Sequence, residues 1–266
     1  MNNKLILLFT LLLLLSIPLL AQFTAVTSGT ISNEELESKG VAWVDYDNDG
    51  DDDLFVTIST YSSLSRKDLL FNNNGDGTFT KILIGDLVNE EGAGRNSTWA
   101  DFNNDGLPDV FITNQHETFL YKNLGSGVFA KQSSIPTTAF SFDSDHSGAA
   151  WGDYNGDGYI DLFLSSYKLN DNAINVLYLN NKDESFTQSL STDVISTHGS
   201  SVDPAWIDYD NNGTLDLFVP NYCSNNFLYK NLGNGNFSSV SDNVLLPSNC
   251  SVGSSWAALT MMGILM

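Results

Sequence analysis

Four acidic stretches, each set in the same local frame, constrain this chain more than any other feature. They run Asp45-Tyr-Asp47-Asn-Asp49-Gly50-Asp51-Asp-Asp53, Asp101-Phe-Asn103-Asn-Asp105-Gly106-Leu-Pro-Asp109, Asp153-Tyr-Asn155-Gly-Asp157-Gly158-Tyr-Ile-Asp161 and Asp208-Tyr-Asp210-Asn-Asn212-Gly213-Thr-Leu-Asp216. Each fits D-x-(D/N)-x-(D/N)-G-x-x-D, so oxygen-bearing side chains recur at positions 1, 3, 5 and 9, with a glycine at position 6 where the backbone can turn tightly. The motifs start 56, 52 and 55 residues apart. Repeats of this length are supersecondary units that bury their faces by stacking on neighbours. Two residues before each motif lies a tryptophan, Trp43, Trp99, Trp151 or Trp206, and after it comes Leu54-Phe-Val, Val110-Phe-Ile, Leu162-Phe-Leu or Leu217-Phe-Val. These short aromatic and β-branched flanks predict two strands joined by the acidic loop.

A second landmark follows in phase: Leu70-Phe-Asn-Asn-Asn-Gly-Asp-Gly-Thr-Phe79, Leu120-Tyr-Lys-Asn-Leu-Gly-Ser-Gly-Val-Phe129, Leu177-Tyr-Leu-Asn-Asn-Lys-Asp-Glu-Ser-Phe186 and Leu228-Tyr-Lys-Asn-Leu-Gly-Asn-Gly-Asn-Phe237. Asn and Gly clusters between apolar ends mark a hairpin. Each repeat then holds four strands, and the fold expected is all-β, a β-propeller of four-stranded blades. A β-solenoid of stacked hairpins is the alternative; the long period and two hairpins per repeat favour blades. The spacing from each hairpin phenylalanine to the next tryptophan is 20, 22, 20 and 19 residues, and 20 also separates Phe23 from Trp43, so a partial blade is expected at the start. About four and a half blades are accounted for. A fifth repeat opens with Gly253-Ser-Ser-Trp256, but Ala258 stands where an Asp is due and the chain ends at Met266. Shifting the frame by two bases through Thr260-Met-Met-Gly263 forces Asp then Gly, so a frameshift within a fifth motif is expected.

Composition limits the partners. A formal charge of −21 with only 11 Lys and Arg argues against nucleic acid and anionic membranes, which call for clustered basic residues. Residues 1–21 read as a leader: Lys4, an apolar run from Leu5 to Leu15 broken only by Thr10, and Leu19-Leu-Ala21 as exit. A retained signal anchor is the alternative. Residues 22–266 are then the repeat domain, incomplete at its C-terminus, with no further membrane span, and the mature chain is expected to be secreted, periplasmic or at the cell surface. Export permits a Cys223–Cys250 disulfide, with two free thiols as the other possibility.

A lone Asp-rich turn is often only a turn; four copies in phase point to a hard cation. An EF-hand would need Glu at position 12 between helices, where the first motif has Val56 between strands. The expected ligands are Asp45, Asp47, Asp49 and Asp53 with the carbonyl of Asp51; Asp101, Asn103, Asp105 and Asp109; Asp153, Asn155, Asp157 and Asp161; and Asp208, Asp210, Asn212 and Asp216. All-oxygen ligation favours Ca²⁺ over Zn²⁺, in about four sites, and the first, with most carboxylates, should be tightest. Extracellular calcium modules bind at about 0.1 to 1 mM, so at about 1 mM calcium a 0.1 mM site adds about 1.4 kcal/mol.

The two landmarks together resemble the FG-GAP/VCBS repeats over almost all of residues 23–256, although the third hairpin lacks the glycines. The resemblance implies a propeller, typically seven-bladed as in the integrin α-subunit head, of which this chain would be a fragment, with calcium in the hairpin loops of one face and ligand contacts elsewhere. The function it suggests is a non-catalytic adhesion or recognition scaffold for extracellular protein or carbohydrate, with irregular loops such as Ser59 to Asp68 and Tyr167 to Ala173 as candidate surfaces. Two alternatives stand beside it, the propeller of a lyase-like polysaccharide-degrading enzyme and a structural segment of a larger surface protein. No G-x-S-x-G or H-E-x-x-H motif is present, and His116, His146 and His198 are scattered. N-x-(S/T) sequons begin at Asn96, Asn212, Asn236 and Asn249.

Overall fold

The structure is a computed structural model that describes residues 25, 27–32, 37–59, 67–92, 94–114, 118–133, 135, 145–167, 174–189, 192–195, 199–233, 235–241, 251 and 253–254. Residues 1–21, read above as a leader, Phe23, Trp256 and the residues after it lie outside these residues, as do His116, His198 and the greater part of both candidate ligand loops. For His146 only the strand is described. The described chain forms four antiparallel four-stranded sheets, each a meander in sequence order. The first comprises β1 (Ser38–Val44), β2 (Asp53–Ile58), β3 (Leu69–Asn73) and β4 (Phe79–Ile82), and the second β5 (Gly94–Ala100), β6 (Asp109–Asn114), β7 (Thr118–Asn123) and β8 (Phe129–Gln132). The third comprises β9 (Asp145–Gly152), β10 (Asp161–Tyr167), β11 (Val176–Asn180) and β12 (Phe186–Gln188), and the fourth β13 (Ala205–Ile207), β14 (Asp216–Val219), β15 (Phe227–Gly233) and β16 (Asn236–Ser239). This is a β-propeller fragment, as the repeats predict. Among the described residues no helix is long and apolar enough to cross a membrane.

Register repeats from blade to blade. Trp43 faces Leu54, Trp99 faces Val110, Trp151 faces Leu162 and Trp206 faces Leu217, so the acidic loop always closes the same hairpin at the same rung. The second strand of each blade is buried on both sides, which is why Leu-Phe-Val runs replace polar alternation there.

The core lies between sheets rather than within them. One cluster joins Phe55 and Leu70 of the first blade to Val110, Ile112 and Tyr121 of the second, and two further clusters repeat this across the next two interfaces. The motif tryptophan is the wedge. Trp99 meets Phe55 edge-on at 5.4 Å, Trp151 meets Phe111 at 6.2 Å, and Trp206 meets Phe163 at 6.4 Å, each reaching into the blade before it. Trp206 also stacks at 8° on Tyr154 and donates its Nε1–H to the Ala150 carbonyl at 3.2 Å. Gly152 makes room for it: a Cβ there would come within 2.6 Å of Trp206 Cδ1. In the first blade Trp43 is 58 % exposed and packs on Phe79 of its own sheet.

Two four-residue helices, α1 (Asp86–Asn89) and α2 (Thr192–Ile195), follow the outer strands of the first and third blades. They insert Leu87, Val88 and Val194 into the interblade cores. Four residues carry too little periodicity to be read from sequence. Cys223 is disulfide-bonded, and the chain has one other cysteine, Cys250, outside the described residues.

Candidate functional site

The four acidic loops share one hydrogen-bonding scheme at the same end of every blade. The position-1 carboxylate bridges two backbone N–H groups: Asp45 accepts from Asp49 and Gly50, both at 3.0 Å, and Asp101 from Asp105 (3.0 Å) and Gly106 (2.7 Å). Asp153 does the same with Asp157 (2.9 Å) and Gly158 (2.8 Å), and Asp208 with Asn212 and Gly213, both at 2.9 Å. Position 3 accepts from the position-5 N–H in the first three loops, through Asp47, Asn103 and Asn155. The position-5 side chains, Asp49, Asp105, Asp157 and Asn212, each accept from the N–H two residues on. Asp51 contributes its N–H to Asp49 in this way. The loops therefore curl around their own oxygens, and a left-handed residue at position 6 (φ 88° to 95°) makes the turn.

Position 4 is left-handed as well, through Asn48, Asn104, Gly156 and Asn211, a requirement the sequence reading did not single out. Two of these residues tie loops together: Asn48 donates to the Gly106 carbonyl at 2.8 Å and Asn104 to that of Gly158 at 3.0 Å.

Position 9 differs from the others because it opens the second strand. Asp53, Asp109, Asp161 and Asp216 are fully buried. Asp109 accepts the Phe102 N–H at 3.1 Å and the Asn123 N–H at 2.7 Å, and Asp53 holds Tyr46 and Asn73 in the same manner. Asp216 holds Tyr209 and Asn231. Asp161 keeps the Asn180 contact, but the Tyr154 N–H donates to Gly152 instead, leaving Asp161 Oδ2 buried without a donor. Burial pushes the Asp53 carboxyl up to about 6 and those of Asp109 and Asp161 up to about 7, with the remaining loop carboxylates adding to the rise. Asp216 is raised for the same first cause. A nearby cation would reverse that penalty.

Carboxylate oxygens of Asp45, Asp47 and Asp49 lie within 4.8 Å of one another, as do those of Asp208, Asp210 and Asp216. Among the described residues the carboxylates of the second and third loops do not converge in this way, nor does Asp53 join the first set; position 3 in those two loops is an amide, Asn103 or Asn155. Asp210 Oδ1 has no donor of its own, but Oδ2 takes the Lys230 ammonium, which holds that carboxyl below the usual range. These donor sets are all oxygen and fit a hard divalent cation.

Lysines reach three of the loops, a feature missed in sequence because they belong to the other landmark. Lys230 pairs with Asp210 at 2.5 Å, Lys182 with Asp157 at 3.3 Å, and Lys122 with Asp105 at 3.8 Å and with Glu184 of the next blade. Lys182 and Glu184 take left-handed backbone (φ 69° and 65°) where the other three hairpins have glycine. That conformation costs a non-glycine residue about 1 kcal/mol.

A family model described as FG-GAP-like repeat matches residues 45–112, 101–164 and 160–219. The chain is 29 % identical over 158 residues to "Cartilage acidic protein 1" of Xenopus tropicalis and 25 % identical over 156 residues to the protein of that name from Homo sapiens. Each match covers 56 % of this chain and 24 % of the relative, so the chain spans about a quarter of their length. A solved structure of an Agrocybe aegerita lectin, described as recognising non-reducing terminal N-acetylglucosamine, superposes with a TM-score of 0.53 at 20 % identity, over 78 % of this chain and 54 % of that one. At that identity the likeness bears on the fold.

Proposed function

The chain belongs to the FG-GAP-like repeat family, and on that premise we propose that it is a recognition scaffold working outside the cytoplasm, its acidic loops filled by calcium and its remaining loops binding protein or carbohydrate. The observation that carries the calcium reading is the buried carboxylate oxygen Asp161 Oδ2, which has no donor, beside the carboxylate oxygens of Asp45, Asp47 and Asp49 that converge within 4.8 Å of one another. An orphaned buried carboxylate oxygen is costly, and a cation supplies what is missing. The residues that would hold it are positions 1, 3, 5 and 9 of each loop, with the Asp51 carbonyl in the first. Calcium bound there supplies positive charge at the one end of each blade where backbone and carboxylates are already arranged. It is a structural cofactor in this reading. The leader expected at residues 1–21 and the disulfide at Cys223 fit an oxidising compartment.

Thermal melts of the full chain in EDTA and in calcium test the first half. The expected outcome is a lower melting temperature in EDTA, restored by calcium; identical melts would refute structural calcium. Glycan-array and matrix-protein binding, run beside a polysaccharide depolymerisation assay, test the second. Polysaccharide cleavage would replace the scaffold with an enzyme.

A further inference from the structure

Blades two, three and four each bring an ammonium group to their acidic loop, and they do so by two different routes. Lys122 and Lys230 occupy the same place in the second landmark, one residue before Asn123 and Asn231. In the third blade that place is Leu179, and the ammonium arrives instead from the turn, through Lys182. The first blade has Asn72 there, whose Oδ1 accepts the Tyr46 hydroxyl at 3.0 Å. Among the described residues no lysine or arginine pairs with Asp45, Asp47 or Asp49. Among the described residues, the loop with the most carboxylates is thus the one with no ammonium group.

We propose that Lys122, Lys182 and Lys230 are resident counter-ions of the second, third and fourth loops, steadying them without metal and lowering their affinity for a divalent cation below that of the first loop. This rests on the reading of the loops as calcium sites. The pairs engage the ligand set itself: Asp105 and Asp157 at position 5, and Asp210 at position 3. A carboxylate that turns to calcium must release its lysine or share it, and the ammonium group left close to a divalent ion is repelled. The pairs are partly exposed, so they exchange with solvent and are displaceable rather than locked. Glu184, lent by the third blade, holds Lys122 at the second loop and is 3.4 Å from Asn103 Nδ2.

Calorimetric titration of calcium chloride into the full chain tests this, comparing wild type with the triple variant Lys122→Met, Lys182→Met and Lys230→Met. Wild type should show one tighter site and a weaker class, with Asp49→Asn loosening the tighter one towards the weaker class. In the triple variant the weaker class should tighten roughly three- to fivefold, the worth of an exposed ion pair, and the tighter site should not move. Its melting temperature in EDTA should fall below that of wild type. Lys230→Met alone gives the same reading for one site should the triple variant fail to fold. Superimposable isotherms would overturn the counter-ion role and leave the calcium sites standing, as would a tighter site that Asp49→Asn leaves unmoved for the order of filling. No calcium heat in either protein, with melts indifferent to EDTA, would overturn the calcium reading and this proposal with it.

Discussion

Asn231 donates its Nδ2–H to the carbonyl of Tyr154, one blade earlier and 77 residues away, at 2.7 Å. The same bond runs from Asn180 to Phe102 and from Asn123 to Tyr46, also at 2.7 Å. Each asparagine also donates to a carbonyl of its own acidic loop, accepts an N–H from its own turn, and gives its backbone N–H to the buried position-9 aspartate, as Asn231 does with Leu215, Gly233 and Asp216. One side chain therefore locks loop, hairpin and neighbouring blade.

Asn180→Ala should be among the more damaging single changes in the chain. It removes two donors and one acceptor from a site that is 2 % exposed and strands the Phe102 and Ile160 carbonyls. The expected cost is about 2 to 4 kcal/mol, read as a lowered urea midpoint. A change under about 0.5 kcal/mol would show the interblade bond to be idle.

Trp206→Ala and Trp43→Ala should differ widely although the two residues hold the same motif position. Trp206 fills the interface between the third and fourth blades, so its loss should cost about 3 to 5 kcal/mol. Trp43 is 58 % exposed, and its removal should cost less than about 1 kcal/mol. Chemical denaturation of the two variants side by side makes the comparison.

Asp105→Asn and Asp109→Asn should separate metal binding from scaffolding. Asp105 lies on the exposed turn, so its variant should lose part of the calcium-dependent stabilisation, the share of one loop among four, while its melt in EDTA stays close to that of wild type. Asp109 clamps Phe102 and Asn123 through both oxygens, and an amide can accept only one of those bonds. Its variant should lose about 1 to 2 kcal/mol even in EDTA.

Asp68 should make the protein less stable at alkaline pH. Its Oδ1 accepts the Ile58 N–H at 2.8 Å, as the neutral Asn175 and Asn226 side chains accept from Ser166 and Asn221 in the third and fourth blades. Burial pushes its carboxyl up to about 7. The folded pKa lies above the unfolded one, so the stabilising contribution is complete below about pH 4 and is lost as pH rises through about 7. Asp68→Asn keeps the hydrogen bond without the charge. It should raise stability at pH 8 by about 1 to 2 kcal/mol, leave pH 4 nearly unchanged, and flatten the melting temperature between them.

Four strands per repeat, the hairpin closed by each acidic loop and the interblade stacking were legible in sequence, because apolar runs and turn residues recur in phase. The positions of Asp45, Asp101, Asp153 and Asp208 as loop organisers were legible for the same reason: a carboxylate four and five residues before two N–H groups is a local arrangement. The helices at 86–89 and 192–195 were not, and neither was the partnership of Lys182 with Asp157, since nothing in a turn lacking glycine says which loop its side chains will meet.

The amino-acid sequence alone determined the blade, its register and the curl of each acidic loop, all set by contacts between residues near one another in the chain. Tertiary structure alone decided that Asn123, Asn180 and Asn231 staple neighbouring blades, that position-9 aspartates are buried clamps, and that Trp206 packs between two blades while Trp43 is largely exposed. Those outcomes depend on which surface packs against a blade some fifty residues away. Burial and hydrogen-bond partners across that distance follow from the stacking of sheets, which residue spacing within one repeat does not encode.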